Sequence, residues 1–295
     1  MSNLSRIIFK ILKIIRFKER IDFIHPKRSA KGKVPYFSKK KYSTTELMVL
    51  GRLVLTIKPI ESKTLAHVVY FHGGGYSIEA SGGHFQFIKQ LIDRANCTLT
   101  YVDYPLAPEF NVMDTMDMAL EAYSQLLSAH PESRFVLMGD SAGGGLALSL
   151  SMLIRDKGLK GAEKIVLFSP WLDIKLTNER ISLYEKRDFV LDAESLRKIG
   201  EIYVGDLPAS HYLVSPKYGD LKGLGDIAVF FGSEEIFYPD CMEFCDANNS
   251  GSTKIAAYKY AGMQHDWVIL PIPEAYRALD EAVAFMREAQ GQETL

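Results

Sequence analysis

The chain has 295 residues and a formal net charge of −1, and 47% of its residues are apolar against 24% charged. These values are those of an ordinary globular protein, long enough for one α/β domain with an insertion, and no repeat or low-complexity tract is present. Cys97, Cys241 and Cys245 form neither a disulfide framework nor a metal-binding spacing. We therefore expect reduced thiols, no metal and a cytoplasmic location.

The N-terminal segment is strongly basic. Residues 1–41 carry 13 lysines and arginines and two acidic residues, so their net charge is +11 and that of the remainder is −12. Apolar residues at positions 7, 8, 11, 12, 14 and 15 fall mostly on one side of a helix. No apolar run is long enough for a signal peptide or a membrane span. The pattern indicates a helix that covers a pocket or rests on anionic lipid, and it disfavours nucleic acid because aromatic and glycine residues are few.

Strand and helix patterns alternate along the rest of the chain. The predicted strands are residues 47–50, 53–58, 66–71, 98–102, 134–138, 164–168, 227–231 and 254–260. The predicted helices are residues 84–95, 114–129, 143–156, 239–248 and 274–288. This alternation predicts an α/β fold with a mostly parallel eight-stranded sheet flanked by helices. Residues 174–212 break the alternation with polar stretches and a helical pattern near residues 193–204.

A serine lies in a glycine-rich turn between a predicted strand and a predicted helix. Residues 139–144 read Gly-Asp-Ser-Ala-Gly-Gly, which has the form G-x-S-x-G. A strand-to-helix turn of this form holds the serine hydroxyl clear of the backbone, and the flanking glycines leave room for the tight turn. The pattern alone is weak evidence, because it also occurs in flexible loops. With a strand before it and a helix after it, the pattern predicts that Ser141 is a nucleophile.

A second glycine motif follows the third predicted strand. Residues 72–75 read His-Gly-Gly-Gly. Acyl transfer through a serine builds negative charge on the former carbonyl oxygen, and backbone N–H groups directed at that oxygen stabilise it. We expect the amides of Gly73, Gly74 and Ala142 to form this oxyanion hole. His72 is interpreted as a structural hydrogen-bonding residue and not as the base.

The base is expected in a loop after a late strand, where a histidine can reach the serine. Residues 261–264 form such a loop beyond the last predicted strand, and His265 follows them. The other six histidines lie too early in the chain or in poor context. The sequence therefore predicts that His265 accepts the proton of Ser141.

A carboxylate after the preceding strand would hold the imidazole in the required tautomer. Residues 232–235 follow that strand and end in two glutamates. Glu235 is the predicted acid, and Glu234 and Asp240 remain alternatives. Asp266 is disfavoured because it is adjacent to His265 in the sequence.

These motifs together resemble the hormone-sensitive-lipase-like branch of the α/β-hydrolases, the bacterial family IV esterases. Residues 72–75 match the oxyanion motif of that branch, and residues 139–144 match its serine motif in full. Residues 104–109 resemble its Y-R-L-A-P-E segment, and residues 169–173 resemble its S-P-W-x-D segment. The matches cover about residues 66–270 in the expected order.

The chain departs from the family pattern at a few positions. Pro105 replaces the usual arginine, and Tyr76 stands where phenylalanine or tryptophan is common. The acid position falls on Glu235, where the family usually has aspartate. Because glutamate is one methylene longer, either the loop lies slightly further back or Asp240 serves instead.

The resemblance implies an α/β-hydrolase fold and a carboxylic ester hydrolase without metal or organic cofactor. It implies an acyl-enzyme mechanism with Ser141, His265 and the acid, and short acyl chains as substrates. Two alternatives stay open: an amidase or deacetylase that uses the same residues, and a non-catalytic homologue that binds a ligand. Triad chemistry alone does not distinguish an amidase or deacetylase from an esterase. A non-catalytic homologue is disfavoured because a serine, a histidine and a candidate acid are all present.

The resemblance also implies a helical cap over the site. Residues 1–45 are expected to form an N-terminal cap segment, and residues 46–295 a catalytic domain with a cap insertion at about residues 174–212. We favour the cap for the basic N-terminal helix, although contact with an anionic membrane can coexist with it. The expected partner is a small acyl ester, and homodimer formation is left open.

Overall fold

The computed structural model describes residues 1–28, 37–62, 64–248, 251 and 253–288. The predicted N-terminal segment and catalytic domain include residues that lie outside these described ranges. The strands are β1 Tyr42–Val49, β2 Arg52–Pro59, β3 Ala66–Phe71, β4 Thr98–Val102, β5 Arg134–Asp140, β6 Lys164–Phe168, β7 Asp226–Gly232 and β8 Ile255–Tyr260. The helices are α1 Asn3–Ile14, α2 Gly82–Ala95, α3 Val112–Ala129, α4 Ser141–Asp156, α5 Ala193–Tyr203, α6 Tyr238–Ala247 and α7 Pro273–Arg287.

All eight strands form one sheet in the order β1-β2-β4-β3-β5-β6-β7-β8. The β1–β2 and β2–β4 pairs are antiparallel, and every later pair is parallel. The prediction of an α/β-hydrolase fold with a mostly parallel eight-stranded sheet is confirmed. Because β3, β5, β7 and β8 run in the same direction, the loops after them meet at one edge of the sheet.

Helices cover both faces of the sheet, as the continuous apolar runs of the parallel strands require. The core on one face contains side chains of α3, α4, α5 and α6. The core on the other face contains side chains of α2 and α7, together with Phe9 of α1. Cys97, Cys241 and Cys245 are buried and free. Among the described residues, no helix is long and apolar enough to cross a membrane.

The first strand is longer than the sequence pattern indicates. It begins at Tyr42, five residues before the predicted start, and pairs along its length with β2. Its interior residues are exposed, so no alternation of apolar and polar side chains marks them. The turn into β2 places Leu50 and Gly51 at positive φ, which suits a two-residue hairpin connection.

Residues 174–212 hold one short 3-10 turn, Glu179–Leu183, and helix α5. Helix α5 buries Leu196, Ile199 and Tyr203 against the core that contains α3 and α4. The Tyr203 ring stacks on Tyr76 with 3.9 Å between ring centroids. The segment therefore packs beside the loop that follows β3.

Candidate active site

The serine lies at the junction of β5 and α4. Ser141 has a φ of 52°, a backbone conformation that non-glycine residues seldom adopt. A Cβ at Gly139 would overlap the backbone of Gly143, and one at Gly143 would overlap the carbonyl oxygens at the end of β3. The turn is therefore possible only with glycine at these two positions. It leaves Ser141 4% exposed, at the start of a buried helix.

The structure brings the three predicted catalytic side chains into one hydrogen-bonded chain. His265 Nε2 lies 2.8 Å from Ser141 Oγ, and His265 Nδ1 lies 2.7 Å from Glu235 Oε2. These residues come from the loops after β8, β5 and β7, which explains why they meet despite their separation in the sequence. Because a carboxylate only accepts, Nδ1 carries the proton toward Glu235 and Nε2 is left to accept from the serine.

Glu235 is fully buried and is held by further donors. Ser169 Oγ donates to Glu235 Oε1 at 3.0 Å, and the Gly232 N–H donates to the same oxygen at 2.6 Å. Burial raises the pKa of Glu235, while the donors, first of all His265, act in the opposite direction and favour the carboxylate. The extra methylene of glutamate is thus accommodated by a turn in which the carboxylate folds back onto Gly232.

The two alternative acids have other partners. Asp240 Oδ1 lies 3.3 Å from Lys217 Nζ and accepts from Asn178 at 3.2 Å. Glu234 accepts from the neighbouring Ser233 hydroxyl at 2.9 Å. Neither carboxylate contacts His265, so the structure favours Glu235 among the three candidates.

Asp266 is closer to the site than its position in the sequence indicates. Its φ of 52° turns the side chain so that Oδ2 lies 3.3 Å from His265 Nε2, on the nitrogen that faces Ser141. Burial alone would lower the pKa of His265, but the carboxylates of Asp266 and Glu235 outweigh it and raise that pKa well above its usual value. The two carboxylates therefore stabilise a positive charge on the His265 ring.

The loop after β3 differs from the expectation in one respect. The Gly73 N–H donates to Asp140 Oδ2 at 2.9 Å, so this amide already has a charged acceptor. Gly74 and Gly75 have positive φ values of 119° and 61°, and neither N–H has a protein acceptor among the described residues. A donor bound to a buried carboxylate is not available to a substrate, so this geometry favours the amides of Gly74 and Gly75 over that of Gly73 as donors toward the site.

Asp140 is the centre of a buried polar cluster next to Ser141. Besides the Gly73 N–H, its carboxylate accepts a hydrogen bond from the Tyr70 hydroxyl and lies 3.1 Å from His84 Nε2. Burial alone would raise the pKa of Asp140, but His84 and Tyr70 outweigh it and lower that pKa. His72 is buried nearby, and burial lowers its pKa to about 3, so its ring is neutral. Its Nδ1 lies 2.6 Å from the Gly73 carbonyl oxygen, in keeping with the structural role expected for this residue.

The N-terminal segment covers the loop after β3. The Phe23 ring packs directly on Gly75, where a Cβ would lie 2.7 Å from two ring carbons. Arg28 donates to the carbonyl oxygens of Ser77 at 2.5 Å and Ala107 at 2.6 Å, and it pairs with Glu109 at 2.7 Å. The predicted helix of this segment is thus followed by residues, among them Phe23 and Arg28, that contact the loop after β3.

Residues 188–191 contact the loops after β7 and β8 through the side chains of Asp188 and Gln264. Asp188 is buried and accepts from the backbone N–H groups of Leu191 at 2.8 Å and Ile236 at 3.0 Å. The Gln264 side chain accepts from the Phe189 N–H at 2.7 Å and lies next to His265 in the chain. Residues 188–191 therefore contact the loops that carry both Glu235 and His265.

Sequence reasoning missed several of these residues. Asp140 occupies the first unspecified position of the G-x-S-x-G motif. A carboxylate at the end of an apolar run is nevertheless a signal of a buried hydrogen-bonding residue. Phe23 could have been noticed as an aromatic residue within a basic segment. For Asp188 and Asp266 no local signal exists, because their contacts join distant segments or depend on a left-handed backbone.

Comparisons with known proteins show the family to which the chain belongs. A family model described as alpha/beta hydrolase fold matches residues 68–269. An acetyl-hydrolase of Streptomyces hygroscopicus is 32% identical over 76% of this chain and 76% of its own length. An esterase of Acinetobacter venetianus is 30% identical over 74% of this chain and 73% of its own length. A crystal structure of an esterase from the bacterial hormone-sensitive lipase family superimposes with a TM-score of 0.83, at 26% identity, over 97% of this chain and 99% of that one.

The match with the family model includes all three residues of the hydrogen-bonded chain, and the structural match extends over nearly the whole sequence. The chain therefore belongs to the alpha/beta hydrolase family, in the branch of esterases related to hormone-sensitive lipase.

Proposed function

We propose that the protein is a carboxylic ester hydrolase that acts on short-chain acyl esters through an acyl-enzyme intermediate. The observation that carries this proposal is the continuous hydrogen-bonded chain Ser141–His265–Glu235, with distances of 2.8 and 2.7 Å. The relatives named esterase and acetyl-hydrolase support the ester as the substrate class.

In this mechanism Ser141 Oγ attacks the acyl carbonyl while His265 Nε2 accepts the hydroxyl proton. His265 then gives the proton to the leaving alcohol, and water attacks the acyl-enzyme with the same nitrogen as base. Glu235 holds the ring and stabilises the imidazolium, and Asp266 adds a second negative charge near it. Each half-reaction therefore passes through the same charged form of His265.

The oxyanion hole is proposed to consist of the amides of Gly74, Gly75 and Ala142. Gly75 replaces Gly73 in the expected set because the Gly73 amide binds Asp140. Ala142 is the second residue of α4, where backbone N–H groups have no partner within the helix. Loss of one such donor typically costs about 3 kcal/mol of transition-state stabilisation.

The N-terminal segment, residues 1–45, and the insertion at about residues 174–212 are proposed to form the cap of a catalytic domain of residues 46–295. Phe23 on the glycine loop and Gln264 against the insertion support this arrangement. Cytoplasmic location and homodimer formation stay predictions. Contact of α1 with an anionic membrane is a separate proposal.

Hydrolysis of p-nitrophenyl esters from acetyl to lauroyl tests the activity. We expect turnover that is highest on the short esters and falls to background in Ser141→Ala. Ser210→Ala, which changes an exposed serine, is the matched control and should retain full activity. If the folded wild-type protein hydrolyses no ester, the ester proposal is overturned. An amide series and ligand-binding measurements would then distinguish the amidase and receptor alternatives.

A further inference from the structure

Helix α1 packs on the protein through one narrow face. Ser5 and Phe9 are its buried residues, and the Ser5 hydroxyl donates to Glu274 of α7 at 2.5 Å. Phe9 joins the core beneath α2 and α7. With 3.6 residues per turn, the side of the helix opposite Phe9 is occupied by Ile7 and Ile11. The face of the helix that points away from the protein is therefore apolar.

An exposed apolar stripe follows this outer side. It comprises Leu4, Ile7, Ile11 and Ile14, which are 45%, 57%, 50% and 68% exposed. Their spacing of three and four residues places them in one continuous line along the helix. Single exposed apolar residues are normal on a protein surface, but a contiguous line of them marks an interaction site.

Basic side chains lie along one side of the stripe. Arg6 and Lys10 are exposed, one helical turn apart, and no ion pair of either is found within the described residues. Residues 1–28 hold eight lysines and arginines against two acidic residues. An exposed apolar line with cations along one side is the arrangement of a helix that lies in the interface of an anionic bilayer.

We propose that the outer face of α1, defined by Leu4, Ile7, Ile11 and Ile14 with Arg6 and Lys10, docks the protein on anionic lipid. A second copy of the chain fits this face less well. A symmetric dimer would bring the same face of both copies together, so the basic residues of one copy would lie close to those of the other and repel them. An anionic lipid surface accepts the apolar side chains and attracts the cations at the same time.

Helix α1 and the residues that follow it contact the cap insertion through side chains outside the docking face. Lys13 Nζ lies 5.1 Å from the centre of the Phe189 ring, and Lys18 Nζ donates to the Glu185 carbonyl at 2.8 Å. The Phe189 N–H binds Gln264, which precedes His265. Docking through α1 would therefore hold the insertion close to the membrane surface.

Sedimentation of the full chain with vesicles tests this proposal. Vesicles of phosphatidylcholine alone are compared with vesicles that contain phosphatidylglycerol, at about 0.1 and 0.5 M NaCl. We expect binding to the anionic vesicles that weakens with salt. The double variant Ile7→Ser/Ile11→Ser should weaken binding by about tenfold or more, since two apolar side chains no longer leave water. Arg6→Gln/Lys10→Gln should weaken it by roughly tenfold.

Matched controls change surface residues elsewhere on the protein. Met48→Ser removes an apolar side chain that is 63% exposed on β1, and Lys157→Gln removes an exposed cation after α4. Both should bind as the wild type does. An unchanged midpoint of thermal unfolding in every variant shows that the fold is intact, and this readout does not depend on enzymatic activity.

Three results would overturn the proposal. The first is equal binding of the wild type to neutral and anionic vesicles, or no binding to either. The second is wild-type affinity in Ile7→Ser/Ile11→Ser. The third is a dimeric mass in light scattering that this double variant converts to a monomeric mass, which would assign the face to a second copy of the chain.

Discussion

The carboxylate of Asp140 accepts a hydrogen bond from the Gly73 amide at 2.9 Å. This contact joins the residue before Ser141 to the first glycine of the loop after β3. A Cβ at Gly73 would also lie 3.0 Å from Ser141 Cβ, so the two segments are in close contact. The position of the loop relative to Ser141 therefore depends on a carboxylate that does not itself contact the reacting atoms.

Asp140→Asn should weaken both the fold and the catalysis. Asparagine offers one acceptor oxygen where the carboxylate offers two, so the Gly73 N–H or the Tyr70 hydroxyl loses its acceptor. A buried donor without an acceptor costs about 1–3 kcal/mol, and the free energy of unfolding in urea should fall by that amount. We expect kcat on p-nitrophenyl acetate to fall by about tenfold or more as the loop shifts. Exposed Asp206→Asn is the control, and equal behaviour of the two variants would contradict this role.

Glu235→Ala should lower kcat by about four orders of magnitude, because the imidazole loses the group that fixes its tautomer. Glu235→Asp should give an intermediate kcat, since the shorter side chain cannot keep its contacts with both His265 and Gly232. Steady-state kinetics on one short ester checks both values.

Asp240→Ala is the counterpart of that experiment. It should leave kcat close to the wild-type value and lower the unfolding free energy, because Lys217, which is 14% exposed, loses one of its two carboxylate partners. If Asp240→Ala instead abolishes turnover while Glu235→Ala does not, the acid is Asp240.

The pH dependence of kcat/KM should reflect the raised pKa of His265. The residue is a base only when neutral, so activity falls as the pH drops through this pKa, and the midpoint should lie above the ordinary histidine value of about 6.5. In Asp266→Asn one of the charges that raise the pKa is removed, so the midpoint should move to lower pH. Asparagine tolerates the positive φ at this position.

Glu234→Gln is the matched control, since it removes a carboxylate from the neighbouring turn that does not touch the imidazole. Its pH profile should coincide with that of the wild type. An Asp266→Asn profile with an unmoved midpoint would show that the Asp266 charge does not act on His265.

Phe23→Ala should reduce kcat/KM on p-nitrophenyl butyrate by about tenfold, because the glycine loop loses the ring that packs on Gly75. Phe23→Leu keeps most of the buried volume and should retain most of the activity. Wild-type kinetics in Phe23→Ala would show that the packing of Phe23 on Gly75 does not contribute to catalysis.

The strands and helices near the site could be predicted because their patterns are local. The run before Ser141 and the glycines around it identify the β5–α4 turn without reference to the rest of the chain. The exposed β1 strand was shortened in the prediction, since residues such as Ser43 and Thr44 pair with β2 on a surface that gives no apolar alternation.

The details of the site were less accessible because they are set by contacts between distant segments. The preference for Glu235 over Asp240 rests on the contact of Glu235 with His265, whereas Asp240 contacts Lys217, which is 23 residues away. The engagement of Gly73 follows from Asp140, which is 67 residues away. A motif gives the residue types of such a site, but it does not say which amide points at which acceptor.

The order of the strands has a consequence for the newly made chain. Ser141 follows β5 in the middle of the sheet, whereas His265 follows β8, the last strand in the sequence and an outer one. A growing polypeptide on the ribosome therefore contains the serine for more than a hundred residues before its base emerges. In the proposed mechanism, esterase activity requires the loop after the final strand, so covalent labelling of Ser141 by a fluorophosphonate would report completed folding.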